Sequence, residues 1–523
     1  MAGTGSLVAA FRPSVASLGY ALFLAINATA VWGGVFPFLP LEIQSQHTMF
    51  WFFLVEASVF AAVFLASVVG SYFFPARTKR FLVPLASLPY VLGWVCLIAA
   101  SYVKGASFPL VVCGGGLLGV GSAGFYMLWQ RLFAAEEAER GNRELIVGTV
   151  YASVMYLALH AIPLAVTAIL VPLVFLPLFG LAVVLASKRI DLNQPMFEDV
   201  PREHPQVYKR MLSDVWRSAV SLGGLGLCTG VMRATAITGP EVGSVVNIVS
   251  MVASFIAAAS ILVVWTRRGF TLNVPRTYRR VFPLVLAAFF CMPLVPSRYV
   301  IWLAGLLYAL HSVAILVMMV QCAQISRDRG INTVFVYGLF GGIMYALHDF
   351  GFIMGTAVSS VAVPGLSSPA MVALATVCTL SLLALLGSTP PKQARALPDS
   401  NSIELVGQPS PDASAVLAAE VPEEAEPAEA EQPEKLAKAE APLDGERMYI
   451  DRISKQVELL KEDYHLTSRE AEVAEYLARG ETVARTAEAL FISENTVRMH
   501  SKRIYAKLDI HKKQELRDLV SSY

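Results

Sequence analysis

A chain that repeats apolar runs of about 20 residues roughly a dozen times has few ways to fold. As a helix rising about 1.5 Å per residue, each run is long enough to cross a hydrocarbon core about 30 Å thick. Candidate spans cover residues 16–39, 50–73, 81–102, 107–129, 145–162, 164–187, 216–236, 242–265, 281–296, 299–322, 331–357 and 369–387, with a bend near Pro163 between the fifth and sixth. Of the 523 residues, 55% are hydrophobic and only 15% charged. A soluble chain carries about a quarter charged residues. Residues 1–388 therefore read as a polytopic membrane domain. The fold class is all-α: a bundle of about 12 helices, 6+6, followed by a small four-helix domain.

Charge sets the expected orientation. With the N-terminus inside, the inner loops hold Arg77, Lys79 and Arg80; Arg131, Arg140 and Arg143; Lys188, Arg189, Arg202, Lys209 and Arg210; Arg267, Arg268, Arg276, Arg279 and Arg280; Arg327 and Arg329. The outer loops hold little beyond Lys104, Arg298 and Arg233. This asymmetry follows the positive-inside rule and predicts both termini in the cytoplasm, with the chain in the inner cell membrane. The longest inner loop, 188–215, divides the spans into two groups of six. That architecture resembles the major facilitator superfamily, whose halves are structural repeats. The family's loop between the second and third helices reads Gly-x-x-x-Asp-Arg-x-Gly-Arg-Arg. Here Gly70 is followed by SYFFPARTKR, which lacks the Asp and the second Gly and so argues against an active transport cycle.

Polar side chains inside spans mark ligand sites, because lipid does not solvate them. Asn27, Glu56, His160, Arg233, Asn247, His311, His348 and Asp349 are such residues. Glu56, His160, His311, His348 and Asp349 form the candidate ligand pocket, with Glu56 the sharpest because no basic residue lies near it in sequence. The six cysteines lie in apolar runs or at their ends, without metal-ligand or CxxC spacing, and read as small hydrophobes. No metal site or cofactor is expected. No Walker loop, zinc motif or nucleophile elbow is present, so the chain does not read as an enzyme.

Composition changes after the last span. Residues 389–446, with AAEVPEEAEPAEAEQPEKLAKAEAP, are rich in Glu, Ala and Pro and predict a disordered acidic linker. Helical periodicity returns at 447–523. Ile450, Ile453, Val457 and Leu460 mark a first helix. Thr467 and Glu470 make a capping box for a second that ends near Gly480. Thr482 caps a short third helix, and Ser493 caps a fourth over 494–508. Val497, Ile504 and Leu508 should face inward, while Asn495, Arg498, Met499 and Lys502 form another stripe. A short helix, a tight turn and a longer basic helix are the parts of a helix-turn-helix.

The stretch LTSREAEVAEYLARG…AEALFISENTVRMHSKRIYAKLDI resembles the LuxR-type (NarL/FixJ-like) DNA-binding domain over about 60 residues. The resemblance implies that Arg498, Met499 and Lys502 face bases, and that Thr496, His500, Arg503 and Lys507 contact the DNA backbone. It further implies a homodimer on double-stranded DNA with a palindromic operator, paired through the helix after Lys512. Together these readings predict a membrane-bound one-component transcription regulator. A small-molecule signal of unknown identity would enter through the lipid-embedded bundle, and output would pass through the helix-turn-helix. The alternative is a major-facilitator-type secondary transporter with a regulatory DNA-binding tail.

Overall fold

The computed structural model describes residues 9–30, 42–189, 205–236, 240–361, 363–387, 402–405, 452–490 and 492–522, together with 39–40, 195–197 and 199–203. From Val15 to Gly387 the described residues form a run of twelve helices. These are α1 (Val15–Ala30), α2 (Gln46–Phe73), α3 (Pro75–Tyr102), α4 (Ser107–Ala135), α5 (Ala138–Ala161), α6 (Leu164–Arg189), α7 (Pro205–Ala236), α8 (Pro240–Arg268), α9 (Val274–Cys291), α10 (Ser297–Arg329), α11 (Thr333–Ser360) and α12 (Ser368–Gly387). Ten of the described helices are long and apolar enough to cross a membrane. The other two are α1, with 16 described residues, and α7, whose first four turns carry Lys209, Arg210, Asp214 and Arg217. The protein is a membrane protein of helical architecture, as its apolar runs predict.

Sequence punctuation sets the helix boundaries. Pro163 separates α5 from α6, and α6 widens into one π-turn at Val171–Phe175, which includes Pro172, a residue with no N–H to donate. Asn332 caps α11 by accepting from the N–H groups of Val334 and Phe335. In the first six helices, α1 packs on α5 and α6, and α4 packs on α2 and α3. In the second six, α7 packs on α11, α8 on α10, and α12 on α7, α9 and α11. The two groups meet along α2–α11, α5–α8 and α4–α10.

One end of the bundle gathers Arg131, Arg143, Arg327 and Arg329 and is called here the basic end. Arg327 ties the two groups of helices together there. Its guanidinium is buried and donates to the carbonyl of Phe133 at 2.9 Å and to Asn142 Oδ1 at 2.6 Å. Arg329 pairs with Asp214 of α7 at 2.5 Å.

The described part of the acidic segment corrects the expectation of plain disorder. Ser402–Leu405 is a strand, β2, paired antiparallel with β1 (Phe270–Asn273) between α8 and α9. Ile403 and Leu405 are buried in the bundle's core, which explains the pairing: SIEL alternates apolar with polar residues inside an otherwise polar stretch. The rest of 389–446 lies outside the described residues.

Beyond it stand α13 (Arg452–Asp463), α14 (Ser468–Ala478), α15 (Val483–Ala489), α16 (Glu494–Leu508) and α17 (Lys513–Ser522). They surround a core of their own, with Leu460, Val473, Leu477, Val497, Ile504 and Leu516 fully or nearly fully buried.

Candidate DNA-reading helix and intramembrane polar cluster

The local geometry of the C-terminal module follows its capping residues. Thr467 accepts from the Glu470 N–H, and Glu470 accepts from the Thr467 N–H at 2.9 Å, closing the capping box of α14. Gly480 follows at φ +96°, a conformation a side chain would strain. Thr482 and Ser493 accept from backbone N–H groups three residues on and so start α15 and α16. Arg469 donates to the Leu490 carbonyl at 2.8 Å, pinning α14 to the turn before α16.

Helix α16 buries Val497, Ile504 and Leu508 and exposes Arg498, Met499, Lys502 and Arg503. Met499 is 44% exposed and stands outside the module's core. Three cations and a thioether thus project from the exposed side of the helix. Arg498 also pairs with Glu494 at 2.9 Å, one turn earlier. The Thr496 hydroxyl shares a hydrogen bond with Ser493, and the His500 ring is half-buried.

Lys507 stands apart from the expected backbone-contacting set. Its ammonium donates to Glu470 at 2.7 Å and to the His465 carbonyl at 2.9 Å. Burial pushes the Glu470 carboxyl up, but the hydrogen bonds from Lys507 and Thr467 outweigh it and hold the group below the usual carboxylate range. Lys507 is therefore engaged inside the module.

Within the bundle, four of the five expected pocket residues come together. Glu56 of α2, His311 of α10, and His348 and Asp349 of α11 are all at most 8% exposed. Arg233 of α7 acts electrostatically on Glu56, His311 and His348, and bonds to Tyr308. Its guanidinium lies 3.8 Å from the ring centre of Phe53, a cation–π contact. Ser58 donates to Asp349 Oδ2. His311 Nδ1, His348 Nδ1 and Asp349 Oδ1 are buried without a hydrogen-bond partner among the described residues. Each such atom costs about 1–3 kcal/mol.

His160 is placed elsewhere. It is exposed near the end of α5 and stacks on Tyr156, because that helix presents its last turn outward. Ser58, Tyr308 and Tyr345 belong to the cluster and were not foreseen. Hydroxyls are common in spans, and only the pairing of helices distinguishes these. A small cavity of about 60 Å³ lies between the two groups of helices, lined by Tyr20, Tyr126, Thr149, Ser153, Ser254 and Ser312 together with apolar side chains such as Leu24 and Met251. Among the described residues no group of three or more His, Cys, Asp or Glu could hold a metal ion.

The chain is similar to solved transporter structures. The E. coli fucose:proton symporter FucP matches with a TM-score of 0.42 and 12% identity, over 72% of this chain and 98% of that one. A bacterial homologue of the iron transporter ferroportin matches with a TM-score of 0.42 and 14% identity, over 72% and 99%. The human organic anion transporter TETRAN matches with a TM-score of 0.44 and 15% identity, over 71% and 97%. No curated protein matches the chain. Residues 464–520 match the family described as bacterial regulatory proteins, luxR family. That span runs from the end of α13 through α17 and includes the cap-to-cap geometry above, so the chain carries a LuxR-type helix-turn-helix domain at its C-terminal end.

Proposed function

We propose that the protein is a one-component transcription regulator of the inner cell membrane. A small molecule binds within the bundle, and the C-terminal module binds promoter DNA as a homodimer on a palindromic operator. The observation that carries this reading is the exposed face of α16. Arg498, Met499 and Lys502 project from a helix capped and backed as a recognition helix must be, inside a stretch that matches the luxR family. Both termini then lie in the cytoplasm, where the module can reach DNA.

The polar cluster around Arg233 supports the input side. Orphaned buried donors and acceptors favour a guest that hydrogen-bonds to them. A ligand that binds two arrangements of the helices unequally shifts their populations.

The test is a gel-shift titration of the full chain against the DNA upstream of its own coding sequence. Lys502→Ala should lose about 1–3 kcal/mol of discrimination between this DNA and a scrambled duplex, roughly 5- to 150-fold. Equal loss on both duplexes would make Lys502 a phosphate contact. No loss on either would remove α16 as the reading helix.

A further inference from the structure

Three consecutive residues at the end of α10 reach three different bodies. Arg327 donates to Phe133 and Asn142 of the first six helices. Arg329 pairs with Asp214 of α7. Between them, Asp328 feels Arg327 and Gln324 first and, more weakly, Lys455 on the first helix of the DNA-binding module, whose ammonium pairs with Glu458 at 3.2 Å. The module itself touches this end of the bundle. Helix α13 packs against α10, and α17 packs against α7. The chain leading to the module is anchored on the same surface, since β2 pairs with β1 in the register Phe270↔Leu405 to Asn273↔Ser402 and packs on α10. Burying Ile403 and Leu405 offsets the ordering of a short strand in an acidic segment.

We infer that the basic end of the second six helices is a docking surface for this chain's own DNA-binding module, with Arg327, Asp328 and Arg329 as the junction between the two. The inference rests on the regulator reading and adds the route by which the bundle restrains its output. In the docked arrangement α17 lies against α7. By the LuxR resemblance, α17 is also the helix that would pair with a second copy. Docking and pairing then compete for one surface. A shift between the two groups of helices must move Arg327, and with it Asp328, so a change at the polar cluster alters the module's hold on α10.

The test uses the full chain in lipid nanodiscs without added ligand, in two measurements. A carbodiimide, which joins an amine directly to a nearby carboxylate, should link Lys455 to Asp328, as read by peptide mass spectrometry. In parallel, binding to a 30-base-pair duplex is titrated by fluorescence anisotropy for Asp328→Lys, for Lys455→Asp and for the exchange variant carrying both. Each single change should tighten duplex binding several-fold by releasing the module, and the exchange variant should return to the wild-type value and regain the link. Lys455→Asp also removes the Lys455–Glu458 pair, so circular dichroism of each variant checks that the module stays folded. Absence of the link in the wild-type chain, or effects of the two changes that simply add, would overturn the docking surface. If duplex binds normally in that case, the regulator reading stands without it. If the link forms but no variant binds duplex at any salt concentration, the DNA-binding reading fails and the docking surface remains.

Discussion

Gly230→Ala should lower the unfolding free energy of the detergent-solubilised protein by about 3 kcal/mol or more, beyond the usual range for overpacking. The added Cβ would sit 1.8 Å from the His348 carbonyl oxygen and 2.8 Å from its carbon. These are backbone atoms of α11, and no rotamer change can move them. The helices α7 and α11 would have to separate, and they meet along much of their length. Gly351 makes the reciprocal approach from α11, where a Cβ would lie 2.2 Å from the Leu227 carbonyl. Small residues at both positions let two backbones touch, which is how helices associate where no water drives them together.

The cost extends to the polar cluster, because Arg233 lies one turn from Gly230 and His348 carries the obstructed carbonyl. Thermal unfolding followed by a thiol-reactive dye, which reports the buried Cys228 and Cys322, measures it. Gly180→Ala is the matched control, since a Cβ there meets nothing within 4 Å. Equal melting of the two variants would mean that α7 and α11 are not in the contact described.

The same interface marks what periodicity could and could not reveal. Apolar run length located the helices, because lipid imposes one length on every span. The C-terminal caps were legible for a similar reason: Thr467, Thr482 and Ser493 act within three residues of themselves. Contacts between distant elements leave no such local trace. Glu56, His311, His348 and Asp349 stood out as polar residues in apolar spans, but their convergence on Arg233 depends on α2, α7, α10 and α11 meeting. His160 carried the same signal and lies elsewhere. The strand at Ser402–Leu405 was hidden by its surroundings, since four alternating residues weigh little against the acidic composition around them.

The role of Lys507 is hidden from the sequence for a subtler reason. A cation on a recognition helix looks like a phosphate ligand until the helix facing it is known. That helix presents Glu470, and the pair supports the second large prediction. Glu470→Ala should destabilise the module by about 2–4 kcal/mol, combining a lost capping box with an uncompensated Lys507. Lys507 is 36% exposed, which keeps the figure below that of a fully buried pair.

The pH dependence has a definite sign. The folded carboxyl is held below its ordinary value, so the unfolded chain binds the proton more readily. The stabilisation is complete above the ordinary glutamate pKa of about 4.3 and fades as pH falls through the lower folded value. Urea unfolding of residues 447–523, which enclose their own core, should therefore show a falling midpoint below about pH 4 in the wild type and a flatter profile in Glu470→Ala. Lys507→Ala should cost a similar amount, and the double variant little more than either alone, because both remove one interaction. Lys507→Ala should also leave the salt dependence of DNA binding unchanged, whereas loss of a phosphate contact would reduce the slope by about one. A reduced slope with unaltered stability would return Lys507 to the DNA backbone and leave Glu470 held by its capping box alone.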